Sequence, residues 1–316
     1  MSEPLEVMLS APRGFCAGVV RAIEIVEICL ERFGKPTYVR HEIVHNHTVV
    51  DDLRQKGAVF VEDLSEVPNG STVVFSAHGV PPEVWKDAEN RSLRVIDATC
   101  PLVTKVHLES LKYSTEGYSV IVVGHEGHPE VIGTMGQAPN VSQLVGTISE
   151  AEQVSVANPE KVVALTQTTL SVEDTESVMN VLRRRFPGII GRNDICYATT
   201  NRQAAAKELA KKVELVLVIG ADNSSNCNRL REVAEAMGVP AYLIDGPDKL
   251  NIDWISGLKK IGITSGASTP ETLVDAVIDK LKAHKVTNLE ITREDVVFVL
   301  PKELQIDGQK WARIRD

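Results

Sequence analysis

The chain has 316 residues, 43% of them hydrophobic and 24% charged, the balance of an ordinary globular protein. That excludes disordered, collagen-like and disulfide-stapled chains and leaves room for two or three core-forming units. A net charge of −9 and an aromatic content of 4% argue against a nucleic-acid partner, because an acidic chain repels a phosphate polymer and few rings are available to stack on bases.

In chain order, Met1 to Ser10 lack the basic start and long apolar core of a secretory signal, and no apolar run reaches membrane-spanning length. A cytoplasmic protein with no membrane partner is expected. Short Val- and Ile-rich runs then alternate with stretches of helical period, the pattern of repeated βα units and parallel sheets. Strands are predicted at 5–10, 37–40, 72–76, 94–97, 119–123, 162–166, 215–219, 241–244 and 260–264. The clearest helices are predicted at 17–32, 102–115, 172–186, 202–212, 228–237 and 271–283.

Cys16, Cys100 and Cys196 lie at intervals of 84 and 96 residues, each long enough for a small βα-built unit. The expected fold class is therefore α/β, with three sequential lobes meeting at a common centre: 14–97, 98–193 and 194–283. The strand within 1–13 is expected to join the third lobe, and 284–316 to form a tail that wraps the body.

The three cysteines share a local grammar, each following a strand or loop and opening a helix. Pro101 suits a first helical turn, and Thr199 or Thr200 is a natural cap for the helix after Cys196. A helix N-terminus favours the thiolate, the form that ligates metal. Five cysteines are too few for a disulfide framework. Cys29 falls on the apolar stripe of the first helix with Ala22, Val26 and Phe33 and reads as core. Cys227, in Asn223-Ser224-Ser225-Asn226-Cys227-Asn228, reads as a packed thiol or a substitute ligand. There is no CxxC pair of the kind a structural zinc site commonly uses, whereas three dispersed thiols suit a four-iron cluster with one iron open to substrate.

Polar turns recur after the strands: 40–46 with His41 and His45, 75–81 with His78, 124–130 with His125, His128 and Glu130, and 166–171 with Thr168. The third lobe substitutes hydroxyl and amide groups at 220–226 and 265–270. Small residues beside helix starts let backbone N–H groups approach an anion, and Ser, Asn and His add directed donors, so together these turns suit a diphosphate. Glu130, two residues past His128, either delivers a proton into that pocket or is a first-turn Glu favoured by the helix dipole. Ser171 with Asp174 is expected to cap the next helix. No G-x-G-x-x-G follows the first strand, so no tightly bound nicotinamide or flavin is expected.

These motifs resemble the 4-hydroxy-3-methylbut-2-enyl diphosphate reductase (LytB) family. The likeness runs from about Val7 to Leu304 and is carried by residues 12–19, 38–46, 75–80, 97–107, 127–131, 166–171, 194–203 and 224–226. The resemblance implies a pseudo-threefold (trefoil) arrangement of the lobes around one [4Fe-4S] cluster per chain, held by Cys16, Cys100 and Cys196, with one iron lacking a protein ligand. It implies that His45, His78, His128, Ser224, Ser225, Asn226 and Ser268 hold the diphosphate, that Glu130 serves proton delivery and that Thr168 meets the substrate hydroxyl. Thr199 matches a pocket position without an assigned role. The implied reaction is reductive dehydroxylation of the family's namesake substrate to isopentenyl and dimethylallyl diphosphates, the last step of the methylerythritol phosphate isoprenoid route. Two electrons would come from an external ferredoxin or flavodoxin. Cys227 stands where a serine would be unsurprising. A cluster-binding sensor and a thiol or zinc hydrolase are the competing readings of the same thiols.

Overall fold

The computed structural model describes residues 4–305. The chain enters through β1 (Glu6–Ala11) and α1 (Ala17–Phe33). A first unit then runs β2 (Thr37–Arg40), α2 (His47–Lys56), β3 (Ala58–Val61), β4 (Thr72–Phe75), α3 (Pro82–Asn90) and β5 (Arg94–Asp97). After α4 (Pro101–Thr115) comes a second unit of β6 (Ser119–Val123), α5 (Pro129–Gly136), β7 (Ser142–Val145), α6 (Ile148–Gln153), β8 (Val162–Thr166), α7 (Val172–Arg185) and β9 (Ile190–Gly191). After α8 (Tyr197–Ala210) the third unit comprises β10 (Val216–Ile219), α9 (Ser225–Ala236), β11 (Ala241–Ile244), β12 (Lys260–Ser265), α10 (Glu271–Leu281) and β13 (Lys285–Glu290).

Each unit is built on a parallel sheet of the same order: β3-β2-β4-β5, β7-β6-β8-β9 and β11-β10-β12-β1-β13. In the third sheet the fourth place is taken by β1, which pairs with β12 in parallel. The N-terminal strand thus completes the last sheet, ties the beginning of the chain to its end, and leaves α1 to pack in the first core with Val39, Val74 and Ile96.

The central strands β4, β6, β8 and β10 are buried along their whole length. Parallel sheets covered by helices on both faces demand such runs, and Thr-Val-Val-Phe, Ser-Val-Ile-Val-Val and Val-Leu-Val-Ile supply them. Each fully buried Val, Leu or Ile side chain contributes about 1.5–3 kcal/mol. Cys29 is fully buried in the first core beside Ala22 and Val26, on the stripe its spacing predicts.

The segment expected as a tail from residue 284 departs from that reading. Lys285–Glu290 is a strand, paired in parallel along the whole of β1. Its alternation of exposed and half-buried residues is that of a sheet edge, and it satisfies backbone groups that β1 would otherwise present to solvent. Beyond it the chain crosses to the first unit. Arg21 Nε donates to Val299 O at 2.7 Å, and Leu300 and Leu304 bury in the first core. Residues 306–316 of that segment, and 1–3 of the first, lie outside the described residues.

The helix after Cys196 also begins earlier than expected. Cys196 itself is the N-cap, and Thr199 and Thr200 lie inside α8. The Thr200 hydroxyl bonds back to Tyr197 O at 3.0 Å, an intrahelical alternative to capping.

Candidate active site

Cys16, Cys100 and Cys196 are the N-caps of α1, α4 and α8, and each follows the fourth strand of a sheet. Their backbone N–H groups make equivalent bonds: Cys16 to Ala267 O at 3.1 Å, Cys100 to Ala77 O at 3.0 Å and Cys196 to Thr168 O at 3.1 Å. All three acceptors sit in the loop after the third strand of a sheet, so the pseudo-threefold reaches down to single hydrogen bonds. No cysteine side chain caps its own helix. Gly18 clears the space between two of the sulfurs, since a Cβ there would lie 2.8 Å from Cys100 Sγ and 3.8 Å from Cys16 Sγ.

The three cysteine loops are clamped in a ring. Arg21, on the helix that Cys16 opens, donates to Thr99 O beside Cys100 at 3.0 Å. Lys105, on the helix that Cys100 opens, reaches Asp194 Oδ1 before Cys196 at 3.2 Å. Arg202, on the helix that Cys196 opens, donates to Gly14 O before Cys16 at 2.8 Å. Each helix therefore carries, five or six residues past its cysteine, the cation that fixes the next cysteine loop.

The loops after the second and third strands of the sheets supply the remaining walls. His45, His78, His128, Glu130, Thr168, Ser224, Ser225, Asn226 and Ser268 line one cavity with the three cysteines, enclosing about 730 Å³, part of it open to solvent. The residues that the family resemblance implies as ligands, donors or acid thus line the same space, together with Thr169 and Thr199, whereas His41, His125 and Cys227 do not. The rings of His45 and His78 are 4.2 Å apart, and His128 is 5.5 Å from His45. His45 Nε2 and Asn226 Nδ2 are buried without a protein partner. Such orphaned polar atoms are rare in folded proteins and are satisfied by a ligand or water when they occur at a site.

Burial holds two of the imidazoles neutral: His128 is pushed down to about 3 and His78 well below its usual range, each further opposed by neighbouring histidines. Ser224, Asn46, His128 and Ser171 also cap the helices that they precede. Capping engages one atom of each side chain and leaves its others free.

Glu130 is 3% exposed and is not the solvated first-turn residue that its position alone allows. Thr168 N donates to Glu130 Oε1 at 2.6 Å and Thr168 Oγ1 to Oε2 at 3.0 Å. Burial pushes the carboxyl up to about 7; the two Thr168 bonds oppose that rise, and nearby Asp194 adds to it. A carboxylic acid poised there is half protonated at neutral pH, the condition that favours general acid catalysis.

The thiols do not follow the expectation that helix starts alone make thiolates. Burial pushes Cys100 up to about 12 and Cys196 up to about 11, with the facing cysteines adding to the rise. At Cys100 and Cys196 burial outweighs the helix termini, so a cation is required to hold those two as thiolates.

Three thiols lining one cavity fit a group ligated by cysteine sulfur, as an iron-sulfur cluster is. Among the described residues, the set of three His, Cys, Asp or Glu ligand atoms within 4.8 Å of one another is His41, His45 and His78. Cys227 is fully buried, and a Cβ at Gly220 or Gly266 would fall 2.3 or 2.2 Å from its sulfur. That thiol is a packed residue between two glycines.

Several contributors escaped the sequence reading. Gln167 Oε1 accepts from His125 N at 3.0 Å, and its amide donates to Thr169 Oγ1 at 2.9 Å, bracing two loops. Asp194 is buried beside Lys105, and the cations of the ring had no signal beyond their place in the motifs. His41 was visible as a histidine but not as a neighbour of His78, whose ring lies 5.9 Å away.

Three equivalent parallel α/β units that present three thiols and one protonatable acid to a substrate-sized cavity define an α/β enzyme-type site. A model of the LytB protein family matches residues 7–282, and the chain belongs to that family. It is 56% identical to a 4-hydroxy-3-methylbut-2-enyl diphosphate reductase of Aromatoleum aromaticum over 305 residues, 95% of this chain and 98% of that one. It is 55% identical to the Pseudomonas aeruginosa reductase of the same name over 311 residues, 96% and 99% of the two chains. The solved E-1-hydroxy-2-methyl-but-2-enyl-4-diphosphate reductase of Plasmodium falciparum superposes with a TM-score of 0.92 at 38% identity, covering 96% of this chain and 97% of that one.

Proposed function

We propose that the chain reduces 4-hydroxy-3-methylbut-2-enyl diphosphate to isopentenyl and dimethylallyl diphosphates, the last step of the methylerythritol phosphate route, as a cytoplasmic enzyme. The observation that carries this reading is the meeting of Glu130 and Thr168 with Cys16, Cys100 and Cys196 in one cavity. Relatives that align over nearly their whole length bear the reductase name.

In this reading the lobes 14–97, 98–193 and 194–283 each contribute one cysteine. A [4Fe-4S] cluster held by Cys16, Cys100 and Cys196, with one iron free of protein ligands, supplies reducing electrons and a Lewis-acid position.

The chain's own residues do the rest. His45, His78, His128, Ser224, Ser225, Asn226 and Ser268 hold the diphosphate, and their binding energy fixes the far end of the substrate. Thr168 Oγ1, already directed at Glu130, meets the substrate hydroxyl. Glu130 then gives its proton to that hydroxyl as the C–O bond breaks and water leaves. Two electrons and two protons are consumed in all, and addition of a proton at either end of the allylic skeleton gives the two products. A ferredoxin or flavodoxin is the donor class proposed, because the chain carries no dinucleotide fingerprint.

The test is an anaerobic assay of the cluster-loaded protein with this substrate and a chemical reductant. Formation of both isomeric diphosphates supports the reading. Release of inorganic diphosphate without reduction points to the hydrolase alternative.

A further inference from the structure

His41, His45 and His78 form a cluster that the reductase reading only half uses. One ring nitrogen from each lies within 4.8 Å of the others. His45 and His78 line the large cavity, and His41 is absent from its lining. The backbone holds His41 at φ 61°, a left-handed conformation unfavourable to a residue with a Cβ, while His41 N donates to Val61 O at 2.7 Å.

Each ring has its Nδ1 engaged from behind. His41 Nδ1 meets Glu62 Oε2 at 2.9 Å, His45 Nδ1 meets Glu42 Oε2 at 3.1 Å and His78 Nδ1 meets Ser76 Oγ at 3.2 Å. A carboxylate can only accept, so the hydrogen of a neutral His41 or His45 sits on Nδ1 and its Nε2 carries a bare lone pair. Those two Nε2 atoms are buried with no partner. A cation held among the three rings would take up such lone pairs. The carboxylate-imidazole arrangement is the one that orients histidine ligands in zinc sites.

We propose that His41, His45 and His78 form a site for a single zinc-class transition-metal ion, and that its occupancy opposes binding of the diphosphate. Three imidazoles select borderline ions such as Zn²⁺ over Mg²⁺ or Ca²⁺, which prefer oxygen ligands. Donation from an Nε2 to a phosphate oxygen requires that nitrogen to take up a proton, which a bound metal prevents, so His45 and His78 serve one ligand at a time. This second clause rests on the reading of those two residues as diphosphate ligands; the metal site does not.

The experiment is calorimetric titration of the anaerobic, cluster-loaded enzyme with zinc chloride, with iron content followed throughout. Wild type should bind one zinc per chain without losing iron. Glu62→Gln, at a side chain largely in solvent, should weaken binding by about 10- to 100-fold. His41→Ala should abolish it. Zinc bound equally well by both variants, or taken up only as iron leaves, overturns the metal site. In assays, zinc should raise KM in wild type and leave the KM of the weakened Glu62→Gln enzyme unmoved at the same concentration. An equal rise in both, the mark of zinc held by substrate in solution, overturns the competition. Zinc bound one per chain with no change in KM overturns the diphosphate role of His45 and His78 while leaving the metal site standing.

Discussion

Arg202 Nη2 donates to Gly14 O at 2.8 Å, so the helix that Cys196 opens fixes the loop that presents Cys16. The guanidinium is 1% exposed and also meets Glu294 at 3.0 Å. Removing it leaves a carboxylate uncompensated and frees one cysteine loop. Arg202→Met should lower the unfolding free energy by about 3–5 kcal/mol in denaturant melts. It should also reduce iron per chain at temperatures where the variant is still folded, and full iron loading would show that the clamp does not position Cys16.

Gly18 offers a sharper separation of fold from site. An added methyl would crowd Cys100 Sγ, yet alanine is the better helix residue by about 0.5–1 kcal/mol. Gly18→Ala should therefore leave the circular dichroism and melting of the iron-free chain nearly unchanged while bound iron falls. Normal iron content would mean that Cys100 can turn aside without cost.

Glu130 sets the pH dependence. Its protonated form is the donor, and with the carboxyl near 7 that form is full at acid pH and lost as pH rises through neutrality. The rate constant for turnover should accordingly fall above about pH 7, and Glu130→Gln should lose about 10²- to 10⁴-fold in kcat with iron retained. A variant that keeps the wild-type profile would remove Glu130 from proton delivery.

Cluster loading should follow pH in the opposite sense. Cys100 and Cys196 lie near 12 and 11, so binding iron displaces their protons, and affinity rises with pH below those values. Reconstitution yields compared between pH 6.5 and 8.5 should favour the higher value. A flat response would mean that the thiols are already ionised in the iron-free chain.

Cys29, buried and pushed up to about 12, belongs to packing alone. Cys29→Ser should cost about 1–3 kcal/mol for a hydroxyl buried in an apolar core and leave iron content intact. Loss of iron from a folded variant would contradict that assignment.

Much of this architecture was legible because parallel sheets write themselves as short apolar runs. Thr37–Arg40, Arg94–Asp97, Ser119–Val123 and Val162–Thr166 were found at their observed limits. The edge strands that were missed lack that signature. Ser142–Val145 is interrupted by an exposed Gln143, Lys285–Glu290 is exposed or half-buried throughout, and Ile190–Gly191 is too short to show any period. The cavity residues were legible as hydroxyls and imidazoles in equivalent turns, because each turn follows a strand and opens a helix. Burial was not, and burial decides the chemistry, carrying Glu130 up to about 7 and keeping Cys100 and Cys196 protonated against the pull of their helices. The clamps by Arg21, Lys105 and Arg202 join segments far apart in sequence, so only the folded arrangement reveals the ring.

In the proposed function Cys16, Cys100 and Cys196 together hold four irons, one of them without a protein ligand. Mössbauer spectroscopy of the ⁵⁷Fe-loaded, anaerobic protein tests it most directly, with and without the diphosphate substrate. The account predicts four irons per chain, one giving a distinct signal that shifts when substrate is added. Four indistinguishable irons indifferent to substrate, or a chain that accepts zinc in those thiols in preference to iron, would contradict it.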